Sequence, residues 1–137
     1  MFASKITGPF GVIAMSHPIV RTGRRDDIPQ VLCSLDILVS LSGGSVMFEA
    51  MSCGKAVISA GFSTKEDSVH IQDGRTGLLV SSGYLSDLAR AMVQLIDAHQ
   101  LRECIGREAR RWAEKNFCHL NIAARTQKLY DRLIQRS

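Results

Sequence analysis

The sequence has no apolar run near the roughly 20 residues a membrane-crossing helix needs, so no helical span is expected. Its opening stretch, MFASKITGPFGVIAM, holds one early lysine and some apolar residues, but Gly8-Pro9 breaks it and leaves no signal-peptide core. The four cysteines, Cys33, Cys53, Cys104 and Cys118, are widely scattered. None of their spacings is that of a disulfide framework or a zinc site. Reduced thiols in a cytoplasmic protein, with no metal, are therefore expected. There is no internal repeat and no low-complexity linker. A length of 137 residues fits a single core and is short for a two-domain enzyme. Hydrophobic residues at 45% and charged ones at 22% are those of an ordinary soluble chain.

Uninterrupted blocks of like charge are also missing. The net charge of +4 is nevertheless uneven: residues 101–137 hold nine Lys/Arg against four acids, so the rest of the chain is slightly acidic. A basic C-terminal region suits an anionic surface. The interspersed acids favour a solvated helix face whose arginines pair with their neighbours. Weak contact with an anionic membrane surface is the most this region implies, and no nucleic-acid partner is expected.

What is present is an alternation of short apolar runs and helical patterns. Residues 11–15 read as a strand, with Gly8-Pro9 as a turn. Residues 19–23, IVRTG, form a β-branched run ending in glycine and read as a second strand. Asp27 is placed as the N-cap of a helix with Pro29 in its first turn and Ile28, Val31, Leu32 and Leu35 at helical spacing. Residues 37–39 and 56–58 read as strands around a helix closed by Cys53-Gly54-Lys55. Residues 73–77, DGRTG, are a turn before a buried strand at 78–80. Ser86 or a residue nearby is placed as the cap of the next helix, with Leu88, Met92, Leu95 and Ile96 repeating at three and four residues. Helices over 101–115 and 120–134 follow. Strands without polar alternation, separated by helices, predict an α/β fold: a Rossmann-like parallel sheet with helices on both faces. Ligands of such sheets bind beyond the C-terminal strand ends. The loops at Gly23-Arg24, 40–44, 60–63 and 80–83 should share that edge.

The chemistry concentrates in residues 36–60, DILVSLSGGSVMFEAMSCGKAVISA. Gly43, Gly44 and Ser45 let the backbone turn tightly into a helix whose first N–H groups and dipole favour an anion such as a diphosphate. The turn is neither a phosphate loop with a lysine nor a full dinucleotide fingerprint. Glu49 follows Ser45 by four residues and shares its helix face, where a carboxylate can accept from the vicinal hydroxyls of a ribose.

Residues 48–58, FEAMSCGKAVI, resemble the EAMACGKPVI signature of the retaining GT-B "group 1" glycosyltransferases. Residues 20–29, VRTGRRDDIP, are similar to that family's V-x-x-G-x-x-D-D-(I/V)-P strand and loop. DILV at 36–39 and DGRTGLLV at 73–80 resemble two more of its motifs, in the same order. Asn116-Phe117 and Lys128-Leu129-Tyr130 resemble its closing helices, so the likeness spans about residues 19–134. It implies that residues 19–137 are the C-terminal, donor-binding half of a GT-B fold, with residues 1–18 unassigned. It also implies that Glu49 binds the ribose of a nucleotide sugar, that Gly43, Gly44 and Ser45 face its diphosphate, and that Gly23 and Arg24 contact the base. The implied reaction transfers a sugar to an acceptor hydroxyl with retention. The nucleotide sugar is a substrate, and no cofactor is implied.

The departures from the family are specific. A second family glutamate, separated from the first by seven residues, falls on Leu41, and no acid lies between Asp36 and Glu49. The loop is shorter by about four residues. The basic pair that the family keeps on the diphosphate has no counterpart here; Arg21, Arg24, Arg25 or Lys55 would have to replace it. Glu66 lies near a further carboxylate position, out of register. His17, His70, His99 and His119 belong to no motif and read as surface or capping residues. Trp112 and Tyr130 read as core or interdomain packing. The sheet should lack two central strands, which only residues 11–15 could partly supply. An exposed strand edge then calls for a glycosyltransferase N-terminal domain or a homodimer. The chain alone is expected to be inactive. The alternative is a non-catalytic nucleotide-binding or partner-binding subunit derived from the same family.

Overall fold

The computed structural model of the chain describes residues 7–8, 11–12, 20–41, 44–60, 70–81 and 83–135. Its elements are β1 (Thr7–Gly8), β2 (Gly11–Val12), α1 (Ile28–Ser34), β3 (Ile37–Ser40), α2 (Ser45–Ser52), β4 (Ala56–Ser59), β5 (Leu78–Leu79), α3 (Leu85–Asp97), α4 (His99–Phe117) and α5 (His119–Ile134). Strands β3, β4 and β5 form a parallel sheet in that order. Ile37 pairs with Ala56 and Ser40 with Ser59, while Ser59 also pairs with Leu79. Ala60 N–H donates to Ser40 O and Val80 N–H to Ser59 O, each at 2.8 Å. The loops that leave the three strands thus start side by side, as the sequence expectation for 40, 60 and 80 requires.

The sheet is covered on both faces. Every residue of β4 is buried, which is why its sequence AVIS lacks polar alternation. Val57 faces one way, into a core with Leu32 of α1, Met47, Ala50 and Met51 of α2, and Ala109 and Ala113 of α4. Ala56 and Ile58 face the other way, against Ala91 and Leu95 of α3 and Ile105 of α4. Helix α4 serves both cores because it crosses the sheet at the α2–β4 turn. There Gly106 lies so close to Gly54 that an added Cβ would come within 2.2 Å of Gly54 O.

Two expectations from the sequence are corrected. Residues 20–23 are exposed and irregular, not a strand, and Val20 is 76% exposed. No neighbouring strand among the described residues offers its β-branched side chains a partner. Of residues 11–15, Gly11 and Val12 are described, and they pair antiparallel with Val12 opposite Thr7 and Gly11 opposite Gly8. They do not extend the parallel sheet, which among the described residues is small and open at both edges. The cap of α3, expected at Ser86 or nearby, is Tyr84, two residues before it. The N-cap of α1 is Asp27 with Pro29 behind it, as the sequence suggests, but the Asp27 side chain caps nothing. It accepts from Arg25 Nε at 2.7 Å instead. That hydrogen bond is the main reason the Asp27 carboxyl is held below its ordinary range.

Candidate functional site

Helix α2 is short and amphipathic, with two contrasting ends. Met47, Ala50 and Met51 are buried, while Ser45, Glu49 and Ser52 are exposed. At its C-terminus Gly54 adopts φ 70°, which an L side chain tolerates poorly. Gly54 N–H donates to Met51 O at 2.9 Å and Lys55 N–H to Ala50 O at 3.0 Å. This is a Schellman closure, and it leaves few carbonyls of the last turn unpaired. At the N-terminus, Gly44 is the cap with φ 110° and ψ 176°, and no side chain accepts from the helix there. The N–H groups of Ser45 and Val46 have no intrahelical acceptor. That end carries the positive pole of the helix.

A cleft of about 370 Å³ opens beside this free end. It is lined by Gly44 and Ser45 from the helix start, Phe48 one turn on, Ser59 at the end of β4, and His70 and Leu79 opposite. Ser59 is fully buried, and its Oγ has no hydrogen-bond partner among the described residues. A buried hydroxyl without a partner costs stability unless something occupies the space beside it. His70 is held edge-on to Phe48, with ring centroids 5.5 Å apart, and Phe48 also packs on Phe117 at 4.4 Å. The cleft is lined mainly by apolar groups, with Phe48 and His70 as an aromatic wall and Gly44, Ser45 and Ser59 as its polar corner. Such a surface can take an anionic group at one end and a flat or apolar group at the other.

Of the six residues singled out in sequence, Gly44 and Ser45 line the cleft. Gly43 lies outside the described residues. Glu49 is exposed one turn beyond Ser45 and does not line the cleft; its carboxylate has no partner among the described residues. Gly23, at φ 65°, and Arg24 are exposed in the segment before α1, and neither lines the cleft. Arg25 is committed to Asp27, and Lys55 stands at the far end of α2, about 12 Å from the helix start at 1.5 Å per residue. Lys55 therefore cannot replace the missing basic pair. Glu66 and His17 lie outside the described residues.

Ser59 and His70 also line the cleft and were not singled out as site residues in the sequence. Ser59 ends an apolar strand on the ligand-facing edge, and a polar residue at that place was the available signal. His70 carried no signal, since its neighbours in the site come from distant parts of the chain. Trp112 is half-buried beside His70 and Phe117, whereas Tyr130 is 62% exposed and outside any core. Helix α5 buries none of its residues.

A second, polar cleft of about 400 Å³ lies between α4 and the turn before β5, where Arg75, Arg111 and Lys115 gather near Glu108. Glu108 lies 2.6 Å from Arg111 and 3.7 Å from Arg75, so part of that charge is internally neutralised. Arg107 and Arg110 pair with Glu103 and Glu114 in the same way, the Arg110–Glu114 contact at 2.8 Å. The basic excess of α4 is largely a laced helix face. Among the described residues no helix is long and apolar enough to cross a membrane.

The family profile of the group 1 glycosyl transferases matches residues 11–98. The chain is 39% identical over 101 residues to a D-inositol 3-phosphate glycosyltransferase of Paenarthrobacter aurescens, which covers 71% of this chain and 24% of that one. Its structure resembles that of Anabaena HepE, solved with UDP and glucose: TM-score 0.74, 27% identity, 81% of this chain and 31% of HepE. It also resembles the C-terminal domain of a group 1 glycosyl transferase, LpcC of Francisella tularensis: TM-score 0.61, 25% identity, 74% of this chain and 53% of that one. The chain spans about a quarter of the length of the curated relatives it matches. With a small parallel sheet clad by helices and this set of likenesses, the chain belongs to the group 1 glycosyltransferase family and has the fold of the C-terminal half of a GT-B enzyme, with an incomplete sheet.

Proposed function

We propose that residues 19–137 form the donor-binding part of a retaining glycosyltransferase, and that the cleft at the start of α2 receives the diphosphate of a nucleotide sugar. The observation that carries this reading is the meeting, in one cleft, of the N-terminal end of α2 at Gly44 and Ser45 with the buried Ser59 hydroxyl, which has no partner among the described residues. The solved relative with UDP and glucose supports the ligand class. Gly43, Gly44 and Ser45 face the diphosphate, Glu49 accepts from the ribose hydroxyls, and Gly23 and Arg24 meet the base. The acceptor and its catalytic groups come from an N-terminal domain or from a second copy. The open sheet edges are where either would dock. Weak contact with an anionic membrane surface falls to Arg125, Lys128 and Arg132, exposed on α5. A cytoplasmic location goes with a nucleotide-sugar donor.

A second reading is favoured by one feature, the absence of any acid between Asp36 and Glu49. It removes the carboxylate that the resemblance assigns to the donor sugar, and leaves a nucleotide-binding or partner-binding subunit without turnover. Calorimetric titration with UDP, GDP and ADP tests both readings. One nucleotide should bind, and Glu49→Ala should weaken it roughly 10- to 100-fold, the worth of hydrogen bonds to a charged group. Sugar transfer after adding an N-terminal domain separates enzyme from subunit. A folded chain that binds none of the three nucleotides rules out the donor site.

A further inference from the structure

Cys33 and Cys53 are 20 residues apart and belong to different helices, yet their sulfurs meet. Cys33 sits in the last turn of α1 and is exposed. Cys53 is the C-cap of α2 and is half-buried. The packing of Leu32 against Met47 and Met51 brings the two helices together and sets Cys33 Sγ 2.9 Å from Cys53 Sγ. Both are free thiols. A disulfide of about 2.0 Å requires the sulfurs to close by less than about 1 Å. Among the described residues, Cys104 and Cys118 make no such contact.

The surroundings divide the roles of the two sulfurs. The hydrogen bond with Cys33, then burial, pushes the Cys53 thiol above its ordinary value, against the opposing pull of Lys55 and Arg110. Cys53 thus keeps its proton, while the exposed sulfur of Cys33 is the one a reagent meets.

We propose that Cys33 and Cys53 form an oxidation site for hydroperoxides, at which the dithiol becomes a disulfide tying the end of α1 to the end of α2. The Cys33 thiolate attacks the terminal peroxide oxygen. The S–O bond forms, the O–O bond breaks, and hydroxide leaves with Cys33 as the sulfenic acid. The Cys53 sulfur then attacks Cys33 Sγ. The S–S bond forms, the S–O bond breaks, and the departing hydroxide takes the Cys53 proton as water. Two thiols lose one electron each, and one hydrogen peroxide is reduced to two waters. The site lies at the closed end of α2, away from the cleft, and does not depend on the donor-site reading.

The test is treatment of the folded 137-residue chain with hydrogen peroxide, followed by alkylation, digestion and mass spectrometry. The expected result is a cross-linked peptide pair containing Cys33 and Cys53, and the loss of two alkylatable thiols for each peroxide consumed. Melting temperature should rise by roughly 5–10 °C and fall back on addition of dithiothreitol. Cys33→Ser should abolish both the cross-link and the shift. Phenylarsine oxide, which bridges neighbouring thiols, should bind the untreated wild-type chain one to one and protect it from cross-linking. That measurement stands even if the variant does not fold. Over-oxidised Cys33 with Cys53 still a free thiol, or cross-links to Cys104, to Cys118 or between chains, would overturn the proposal. So would failure of the arsenical to bind.

Discussion

The two ends of α2 are built on opposite rules. Its C-terminal end is closed. Gly54 and Lys55 return their N–H groups to the last turn, Gly106 of α4 packs on the Gly54 carbonyl, and two thiols meet at the cap. Its N-terminal end is open. Gly44 has a glycine-favouring backbone, yet an added Cβ there would meet no atom within 4 Å. Gly44 and Ser45 line a cleft in which a buried serine hydroxyl lacks a partner among the described residues. Eight residues thus separate a joint that holds the fold from a surface fit to hold an anion. Glycine serves close packing at one end and an approachable backbone at the other.

That contrast is broken most forcefully at the joint. Gly106→Ala places a methyl group against backbone that cannot move aside, and should cost about 3 kcal/mol. Urea unfolding would show it as a lowered midpoint, and an unchanged midpoint would mean that the α4 crossing is looser than described. At the open end the sign should reverse. Ser59→Ala removes a hydroxyl that no described residue satisfies, so the apo chain should keep its stability within about 0.5 kcal/mol or gain slightly. The same change should weaken nucleotide binding several-fold. A clear loss of apo stability would show that Ser59 is satisfied by a group outside the described residues.

The smallest expected effect is a pH dependence at the start of α1. The Asp27 carboxyl is held low by its hydrogen bond from Arg25. A carboxyl whose folded-state value is depressed contributes fully above its unfolded value of about 3.8 and loses that contribution as pH falls through the folded value. Arg25→Ala should therefore narrow the difference in stability between neutral and strongly acid pH, with little change in the rest of the curve. The pair is exposed and the change slight. An identical acid unfolding profile for the variant would remove the pair from any role.

Local chemistry was legible in the sequence, and chemistry made by tertiary approach was not. The stop at Gly54, the strands at 37–39 and 56–58, and the DGRTG turn depend on residues within a few positions of one another. In that turn, the Asp73 carboxylate accepts from Leu79 N–H at 2.9 Å and Thr76 Oγ from Gln72 N–H at 2.8 Å. The run IVRTG has strand-forming side chains but no adjacent strand among the described residues, so propensity alone misled. Ser86 has a capping side chain, but α3 begins one residue before it, at Leu85 behind Tyr84. The meeting of Cys33 with Cys53, and the sharing of one cleft by Ser59 and His70, come from packing between separate elements and have no trace in spacing. Gly44 and Ser45 were visible because a glycine turn ahead of a helix is itself a local signal.

The most direct measurement is an amide proton–nitrogen spectrum of the labelled chain during titration with UDP, GDP or ADP. Shifts centred on the amides of Ser45, Val46 and Met47, with Glu49 and Ala60 following, are expected for the nucleotide that binds. Shifts centred instead on Arg75, Arg111 and Lys115, or no shifts in a well-dispersed spectrum, would contradict the assignment of the open end of α2 as the diphosphate site.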